Sequence, residues 1–436
     1  MDPPYSRIPL GDFSGPLGNK SVTKSPRDSL SRLGDLRTLA SQPRQSRNHQ
    51  RTTFTVKPQL LGRIILAPAL GAWSLAFTPV ALHATAYQQT NLVSDVPGLA
   101  ANTDPNLVNP WGIASSATSP FWVSNAGTGV SGLYNSAGAP QALVVSIPSP
   151  GPGPSVPTGQ VFNGGSAFNA DRFLFASARG TISGWRPALG TNAEILVNNS
   201  AAGASYLGLT LGTSGSDTFL YAADFARGQV DVFSGSGAPI INPGAFTDST
   251  IPVDYSPFNI ENIGGTLFVT YALRGADGFD VAGPGNGYIN RYDLSGNLLG
   301  RFASGGALNS PWGMAQAPAG FGDFSGSLLV GNFGDGTINA FDPGSGALLG
   351  TLTNVAGNPI VNEGLWGLRF GNGGNGGTLG TLYFAAGIDD EEHGLFGSIS
   401  AVPDGPDVGG SATLFLAGLS VLGWLRRRTG APLLGN

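Results

Sequence analysis

The hexapeptide Asn109-Pro110-Trp111-Gly112-Ile113-Ala114 decides the fold of this chain, because it recurs at later positions. It returns as Ser310-Pro311-Trp312-Gly313-Met314-Ala315 and, in a shorter form, as Gly364-Leu365-Trp366-Gly367-Leu368. Weaker copies stand at Tyr206-Leu207-Gly208-Leu209 and Pro257-Phe258-Asn259-Ile260. Self-similarity of this kind is the sequence signature of a repeat architecture, in which each copy is one structural unit.

Each copy is followed by an apolar run that ends in a small or polar residue. One such run, Phe173-Leu174-Phe175-Ala176-Ser177, belongs to a repeat whose opening near Val161-Phe162 has diverged, so we count six repeats. The six runs occupy residues 121–125, 173–177, 219–224, 267–270, 328–332 and 382–385.

Two further runs complete each repeat. Third runs with alternating apolar and polar residues follow Gly-containing turns, and a fourth run follows turns such as Asp293-Leu294-Ser295-Gly296. Four strands every 44 to 54 residues or so is the size of a β-propeller blade. We therefore predict an all-β, six-bladed β-propeller over residues 87–401, closed by a strand near Asn91-Leu92-Val93 that pairs into the last blade. Two packed β-sandwiches are the alternative, but they do not explain the tandem period.

Charge and composition exclude several classes of function. The chain has 436 residues and a formal net charge of −5, but residues 87–425 contain only eight Arg against 23 Asp and Glu. This acidic region argues against nucleic acid or an anionic membrane surface as a partner, because both are bound through cationic contacts. The chain has no cysteine, which excludes disulfides, thiol nucleophiles and thiolate metal sites.

The segment before the propeller has the features of an export signal. Residues 1–59 are polar, basic and without hydrophobic periodicity, which predicts a disordered N-terminal extension. Residues 60–86 contain an apolar stretch and end in Ala84-Thr85-Ala86, an A-x-A pattern. We predict a signal peptide that is cleaved after Ala86. Either its basic n-region is unusually long, or translation starts later, near Val56.

The C-terminal residues have a second targeting layout. Val402-Pro403-Asp404-Gly405 opens a tag and spacer over residues 402–410, the apolar run 411–425 follows, and Arg426-Arg427-Arg428 begins a basic cytoplasmic tail that extends to residue 436. At about 1.5 Å per residue, the apolar run reaches roughly 22 Å against a hydrocarbon core of about 30 Å. It is therefore predicted to be a short transmembrane segment, with a buried core helix as the alternative.

This order of tag, apolar segment and Arg cluster resembles the PEP-CTERM class of bacterial sorting signals. The wording Val402-Pro403-Asp404-Gly405 is similar to the variant that begins Val-Pro-Asp-Ser-Gly, although Gly405-Pro406 stands where that variant has Ser-Gly. The resemblance implies a sorting protease of the exosortase type as a partner. It also implies delivery to the cell envelope or release into the extracellular matrix.

The repeats themselves resemble the NHL-type propeller repeat, in which Pro-x-Gly-Ile-Ala precedes an aromatic-Val run and then Gly-x-Ile-x-x-Phe-Asp. Longer phrases are similar to an uncharacterised family of secreted bacterial proteins that often carry such C-terminal tags. The phrases are residues 109–113, 303–313, 331–339 and 386–394. This resemblance implies a propeller fold and export, and it implies no activity.

The densest acidic run of the chain is Asp389-Asp390-Glu391-Glu392-His393, which lies between the second and third runs of the last repeat. Adjacent carboxylates repel one another, and a hard cation such as Ca²⁺, which favours oxygen ligands, would relieve the repulsion. The five residues are therefore a candidate metal site. A solvated loop at the tip of the blade is the simpler alternative, because successive residues point in different directions.

Two other sets of residues are candidates for a site at the central channel. Asn125, Asp224 and Asn332 end second runs, and propeller enzymes of the lactonase type gather such side chains around a metal; capping of local turns is the simpler explanation. Trp111, Trp312 and Trp366 could stack on a sugar or pack between blades.

We therefore expect an exported propeller that acts as a non-catalytic binding module for an extracellular ligand, such as a glycan or a protein. The alternative is a metal-dependent hydrolase of the lactonase type, with Ca²⁺ held in the channel. The sequence identifies no catalytic residue.

Overall fold

The computed structural model describes residues 85–402, whose strands form six sheets. Two strands precede the first complete sheet: β1 (Tyr87–Ser94) and β2 (Asn102–Thr103). Blade 1 contains β3 (Pro110–Ala114), β4 (Phe121–Asn125), β5 (Val130–Tyr134) and β6 (Val145–Ser146). Blade 2 contains β7 (Pro157–Phe162), β8 (Phe173–Ser177), β9 (Thr181–Trp185) and β10 (Glu194–Asn198). Blade 3 contains β11 (Tyr206–Ser214), β12 (Asp217–Asp224), β13 (Gln229–Ser234) and β14 (Pro239–Ile240).

The remaining three sheets continue the pattern. Blade 4 contains β15 (Tyr255–Ile263), β16 (Thr266–Leu273), β17 (Tyr288–Tyr292) and β18 (Leu298–Ser304). Blade 5 contains β19 (Pro311–Gln316), β20 (Leu328–Asn332), β21 (Ile338–Phe341) and β22 (Leu348–Thr351). Blade 6 contains β23 (Leu365–Phe370), β24 (Thr381–Ala386) and β25 (Leu395–Ala401) together with β1 and β2. Short 3-10 turns occupy Phe168–Ala170, Pro187–Leu189, Ser200–Ala202 and Gly322–Phe324.

The sheets are arranged as a closed ring. The first strand of each blade contacts the first strands of the blades on either side, and β23 of blade 6 contacts β3 of blade 1. These six inner strands therefore surround a common axis. The prediction of an all-β, six-bladed propeller is confirmed.

An N-terminal strand closes the ring, as predicted. Strand β1 pairs antiparallel with β25, from Tyr87 opposite Ala401 to Ser94 opposite Leu395. The Tyr87 side chain is only 1% exposed, and its hydroxyl donates a 3.0 Å hydrogen bond to the Phe321 carbonyl in blade 5. The two ends of the described chain also meet, because the Val402 amide donates to the Ala86 carbonyl at 2.8 Å. Strand β1 thus covers the edge that blade 6 would otherwise expose.

A glycine on most inner strands allows the inner strands of neighbouring blades to approach each other closely. A Cβ atom on Gly112 would lie 2.7 Å from the Thr158 carbonyl oxygen and 2.8 Å from the Gln160 amide nitrogen of blade 2. Real side-chain atoms do not approach a backbone so closely, so only glycine fits. Glycines at the same place on blades 2, 3, 5 and 6 face the next inner strand in the same way: Gly159, Gly208, Gly313 and Gly367.

Blade 4 has Asn259 at this position. Its side-chain Nδ2 donates a 2.8 Å hydrogen bond to the Trp312 carbonyl of blade 5. On blade 4 this hydrogen bond joins the inner strands where the other blades have direct contact between backbones. We call these six residues (Gly112, Gly159, Gly208, Asn259, Gly313 and Gly367) the glycine ring.

The second repeat begins later than its sequence suggests. We expected its opening near Val161-Phe162, but β7 begins at Pro157. Thr158 replaces the tryptophan of the hexapeptide, and its Oγ1 donates a 2.7 Å hydrogen bond to the Tyr206 carbonyl. Pro157-Thr158-Gly159 is therefore the hexapeptide of blade 2 with a hydroxyl in place of the indole.

The predicted targeting segments lie mostly outside the described residues. These are the extension 1–59, the signal peptide up to Ala84, the tag from Pro403 and the segments 411–425 and 426–436. Within residues 85–402 the structure has no helix long and apolar enough to cross a membrane.

Candidate functional site

The axis of the propeller is filled at one level by aromatic side chains. Trp111 and Trp366 stack with ring centroids 3.3 Å apart, and Trp312 meets both edge-on at about 6 Å. Phe333 stacks on Trp366 with centroids 4.1 Å apart, and Phe258 of blade 4 contacts both of them. We call this group the aromatic plug: Trp111, Phe225, Phe258, Trp312, Phe333 and Trp366, with Val156 and Leu207 packed alongside.

The plug consists of buried packing rather than an open stacking surface. Trp111, Trp312 and Trp366 are 7%, 4% and 2% exposed. The Trp111 indole N–H donates to Asn109 Oδ1 at 2.9 Å, and the Trp366 indole N–H donates to Glu391 Oε1 at 3.2 Å. Because the indoles cover one another, they are not available to stack on a sugar in this conformation. The interpretation as packing between blades is confirmed.

The acidic run forms a tight loop between β24 and β25. Asp389, Asp390 and Glu391 all have positive φ, at 57°, 53° and 68°. Three successive residues other than glycine in this region are unusual, and the left-handed region is costly for ordinary L-residues. The Asp390 amide donates to Glu363 Oε1 at 3.3 Å, and Glu391 accepts from the Trp366 indole. The loop therefore holds its shape through contacts with the start of blade 6.

The five candidate metal residues do not converge on one point, because their side chains have different partners. Glu391 contacts the aromatic plug, while His393 pairs with Asp95 in the segment that follows β1. In the part of the chain that the structure describes, no three His, Asp or Glu side chains are grouped closely enough to hold a metal ion. Asp389, Asp390 and Glu392 thus remain a predicted cation site without a converging donor set.

Asp95 and His393 form a polar link between the closing strand and blade 6. His393 Nδ1 lies 2.7 Å from Asp95 Oδ2, and the Gly394 amide donates to Asp95 Oδ1 at 2.8 Å. The hydrogen bond with Asp95 raises the pKa of His393, opposed in part by desolvation. The pair fastens the segment after β1 to the loop before β25.

The polar ends of two second strands accept hydrogen bonds from backbone amides. Asp224 accepts hydrogen bonds from the amides of Ser205 (3.0 Å) and Arg227 (3.1 Å), and Asn332 Oδ1 accepts from the Asn309 amide at 3.1 Å. Burial raises the pKa of Asp224 to about 6, although these amide bonds favour its ionised form. The contact with Arg227, three residues later, confirms turn capping for Asp224, whereas the Asn309 amide that Asn332 binds lies 23 residues earlier in the chain.

Two charged residues that the sequence did not single out lie on the inner strands. Glu261 is on β15 of blade 4 and Arg369 is on β23 of blade 6, and both side chains are partly buried. Burial raises the pKa of Glu261 to about 7, an effect that the Arg369 guanidinium reduces, and burial lowers the pKa of Arg369. A possible sequence signal was their position, two residues after the glycine ring, where the other blades have Ala114, Val161, Thr210 and Ala315.

Two proteins of Acanthamoeba polyphaga mimivirus are similar to the chain in sequence. The uncharacterized protein R648 is 34% identical over 331 residues, which cover 72% of this chain and 80% of the relative. The uncharacterized protein L690 is 35% identical over 327 residues, which cover 71% and 84%. These relatives are viral, so they do not support the bacterial family that the repeat phrases suggested. No family model matches the chain.

Solved structures with a similar fold have little sequence in common with the chain. Virginiamycin B lyase from Staphylococcus aureus is 14% identical, with 73% of this chain and 100% of that chain covered at a TM-score of 0.44. Aldose sugar dehydrogenase from Streptomyces coelicolor is 12% identical, with 72% and 98% covered at a TM-score of 0.41. We draw no conclusion about activity from either likeness.

The Asp95 and His393 pair predicts a pH-dependent contribution to stability. Because the pKa of His393 is raised in the folded state, the ionic contribution is fully present below the usual His pKa of 6.5 and is lost as pH rises through the folded-state value. The effect is modest because the His393 side chain is 40% exposed. We expect Asp95→Asn to lower the melting temperature more at pH 5.5 than at pH 8.5, measured by circular dichroism. Asp217→Asn, on an exposed strand end, is the control; an equal loss at both pH values for Asp95→Asn would contradict the ionic link.

Proposed function

The chain belongs to the same family as the mimivirus proteins R648 and L690, and we propose that it is an exported, non-catalytic binding module. The observation that carries this proposal is the aromatic plug. A channel hydrolase of the lactonase type needs a cavity on the axis with several oxygen ligands converging on a metal. Here apolar rings from blades 1, 3, 4, 5 and 6 occupy the axis at the level of the plug.

The surface beside the plug supports binding rather than catalysis. The loop of residues 389–393 carries acidic side chains. Hydrogen bonds to Glu363 and Trp366 hold this loop in place. Such loops on a rigid scaffold are common places for recognition, because the scaffold fixes them while their side chains vary. An extracellular glycan or protein that carries cationic or hydrogen-bonding groups fits this acidic loop. The acidic character of the propeller disfavours nucleic acid.

Export and sorting are the second part of the proposal. Strand β1, the first strand in the part of the chain that the structure describes, begins at Tyr87, directly after the A-x-A pattern, so cleavage after Ala86 would remove no residue of β1. The last described strand, β25, ends at Ala401, next to the predicted tag. A sorting protease of the exosortase type would act on that tag, with the apolar run 411–425 in the membrane and the propeller at the cell envelope or in the extracellular matrix.

Sequencing the N-terminus of the protein recovered from outside expressing cells tests the proposed export. We expect the mature chain to begin at Tyr87, and a variant with Ala84→Asp and Ala86→Asp to accumulate uncleaved, because the A-x-A pattern requires small residues. Recovery of the intact Met1 form from the cytosol alone would rule the proposal out.

Metal dependence separates the binding module from the hydrolase. Ligands that bind only the folded state raise its stability. For a binding module without a metal site, we expect the full-length chain to have the same melting temperature with Ca²⁺, Mg²⁺ or Mn²⁺ as with a chelator. A rise with one metal, abolished by Asp389→Asn with Glu391→Gln, would favour the hydrolase instead. These substitutions keep the shape of the side chains, and Asn tolerates the left-handed backbone of residue 389.

A further inference from the structure

The inner strands carry one acidic and one basic residue at the same register, and neither belongs to the plug. Glu261 and Arg369 each stand two residues beyond the glycine ring. Both residues stand on inner strands, which surround the axis, and both side chains are partly buried. The two groups interact electrostatically, but their charged atoms are not within 4.0 Å of each other and form no ion pair.

Arg369 uses only part of its hydrogen-bonding capacity. Its Nε donates to Ser115 Oγ at 3.0 Å and its Nη2 donates to the Ser115 carbonyl at 3.1 Å, which fixes one edge of the guanidinium against blade 1. A guanidinium has five N–H donors, so three remain. Among residues 85–402 these three have no acceptor. The free edge of a guanidinium matches the two oxygens of a carboxylate.

Glu261 has a carboxyl group that could bind the same ligand as Arg369. Within the described residues its carboxyl group receives no hydrogen bond and forms no salt bridge, although the residue is partly buried among the blades. An ionised carboxylate in such a place is costly unless it is paired, whereas the protonated carboxyl can donate a hydrogen bond. Glu261 is therefore suited to donate to an anion that Arg369 holds.

No other charged group acts on Glu261 among the described residues. Strand β15 packs against β11, β12, β13, β16 and β19, and β19 has no titratable side chain. The titratable groups on the other four strands have partners elsewhere or lie at an exposed strand end. They are Tyr206 with Asp231, Tyr221 with the Leu294 carbonyl, Asp224 with Arg227, Tyr271 with Tyr292, and Asp217 at the exposed end of β12.

We propose that the channel beyond the glycine ring binds a small organic carboxylate, held by the free edge of Arg369 and by a hydrogen bond from protonated Glu261. The proton on Glu261 comes from solvent, and no covalent bond is made or broken. The proposal goes beyond the proposed function, because it requires neither export, nor sorting, nor a partner at the acidic loop.

Proton uptake should accompany binding. An anion on Arg369 removes the influence that lowers the pKa of Glu261 and adds a negative charge beside it, so the bound state favours the protonated carboxyl. The Glu261 pKa of about 7 places the transition near neutral pH. Affinity should therefore increase as pH falls through 7, and the dissociation constant should rise by up to about tenfold per pH unit above it, as one linked proton requires.

The test is equilibrium dialysis of the full-length chain with isotopically labelled acetate at pH 6, 7 and 8, with sodium chloride keeping the ionic strength constant. We expect one saturable site whose affinity weakens with pH. Arg369→Gln should abolish binding, and Glu261→Gln should retain it while removing the pH dependence, since the amide is a neutral donor at every pH. Arg172→Gln, an exposed arginine on blade 2, is the matched control and should bind like the original chain.

Three results would each overturn the proposal. They are absence of saturable acetate binding at pH 6, undiminished binding by folded Arg369→Gln, and unchanged pH dependence in Glu261→Gln. If Arg369→Gln does not fold, the Glu261→Gln result still decides, because that change preserves shape and removes only the titration. Failure here would leave the export and metal experiments unaffected.

Discussion

The structure depends on how closely the six inner strands approach the axis. At the glycine ring, backbone meets backbone with no space for a Cβ atom, as Gly112 shows against Thr158 and Gln160. The inner strand of every blade must approach its neighbour this closely for the ring to close. Glycine, which has no side chain, therefore occupies this position on five of the six blades. Asn259 meets the same requirement on blade 4 with a hydrogen bond to the Trp312 carbonyl.

The glycine ring also divides the axis chemically. The residue before each ring glycine contributes to the aromatic plug on blades 1, 5 and 6, and the residue two positions after the ring is Glu261 or Arg369 on blades 4 and 6. An apolar level and a polar level therefore lie next to each other along the same six strands. Burial of the plug excludes water there, while the charged groups require solvent or a ligand. This separation is the basis of the site that we propose at Glu261 and Arg369.

Much of this architecture could be predicted from the sequence, because repeats are local patterns. The hexapeptide copies and the apolar runs predicted six blades, and the strand near Asn91-Leu92-Val93 closes the ring as expected. The start of blade 2 was not predicted correctly because Thr158 stands in place of the tryptophan of the hexapeptide. The site was harder to predict from the sequence. Asp95 and His393 are 298 residues apart, and Glu261 and Arg369 lie on inner strands that only the closed ring brings around one axis. The metal hypothesis at residues 389–393 followed charge density, whereas ligand geometry depends on backbone conformation that the sequence does not display.

The most direct test of the account is the unfolding free energy of Gly112→Ala in the full-length chain, measured by urea denaturation beside Gly380→Ala. An added methyl at Gly112 meets the rigid backbone of blade 2, so we expect a loss of about 1–3 kcal/mol, typical of overpacking. A methyl at Gly380 meets nothing within 4 Å, so stability there should stay the same or rise slightly. Equal effects of the two substitutions would contradict the claim that close approach of the inner strands determines the ring.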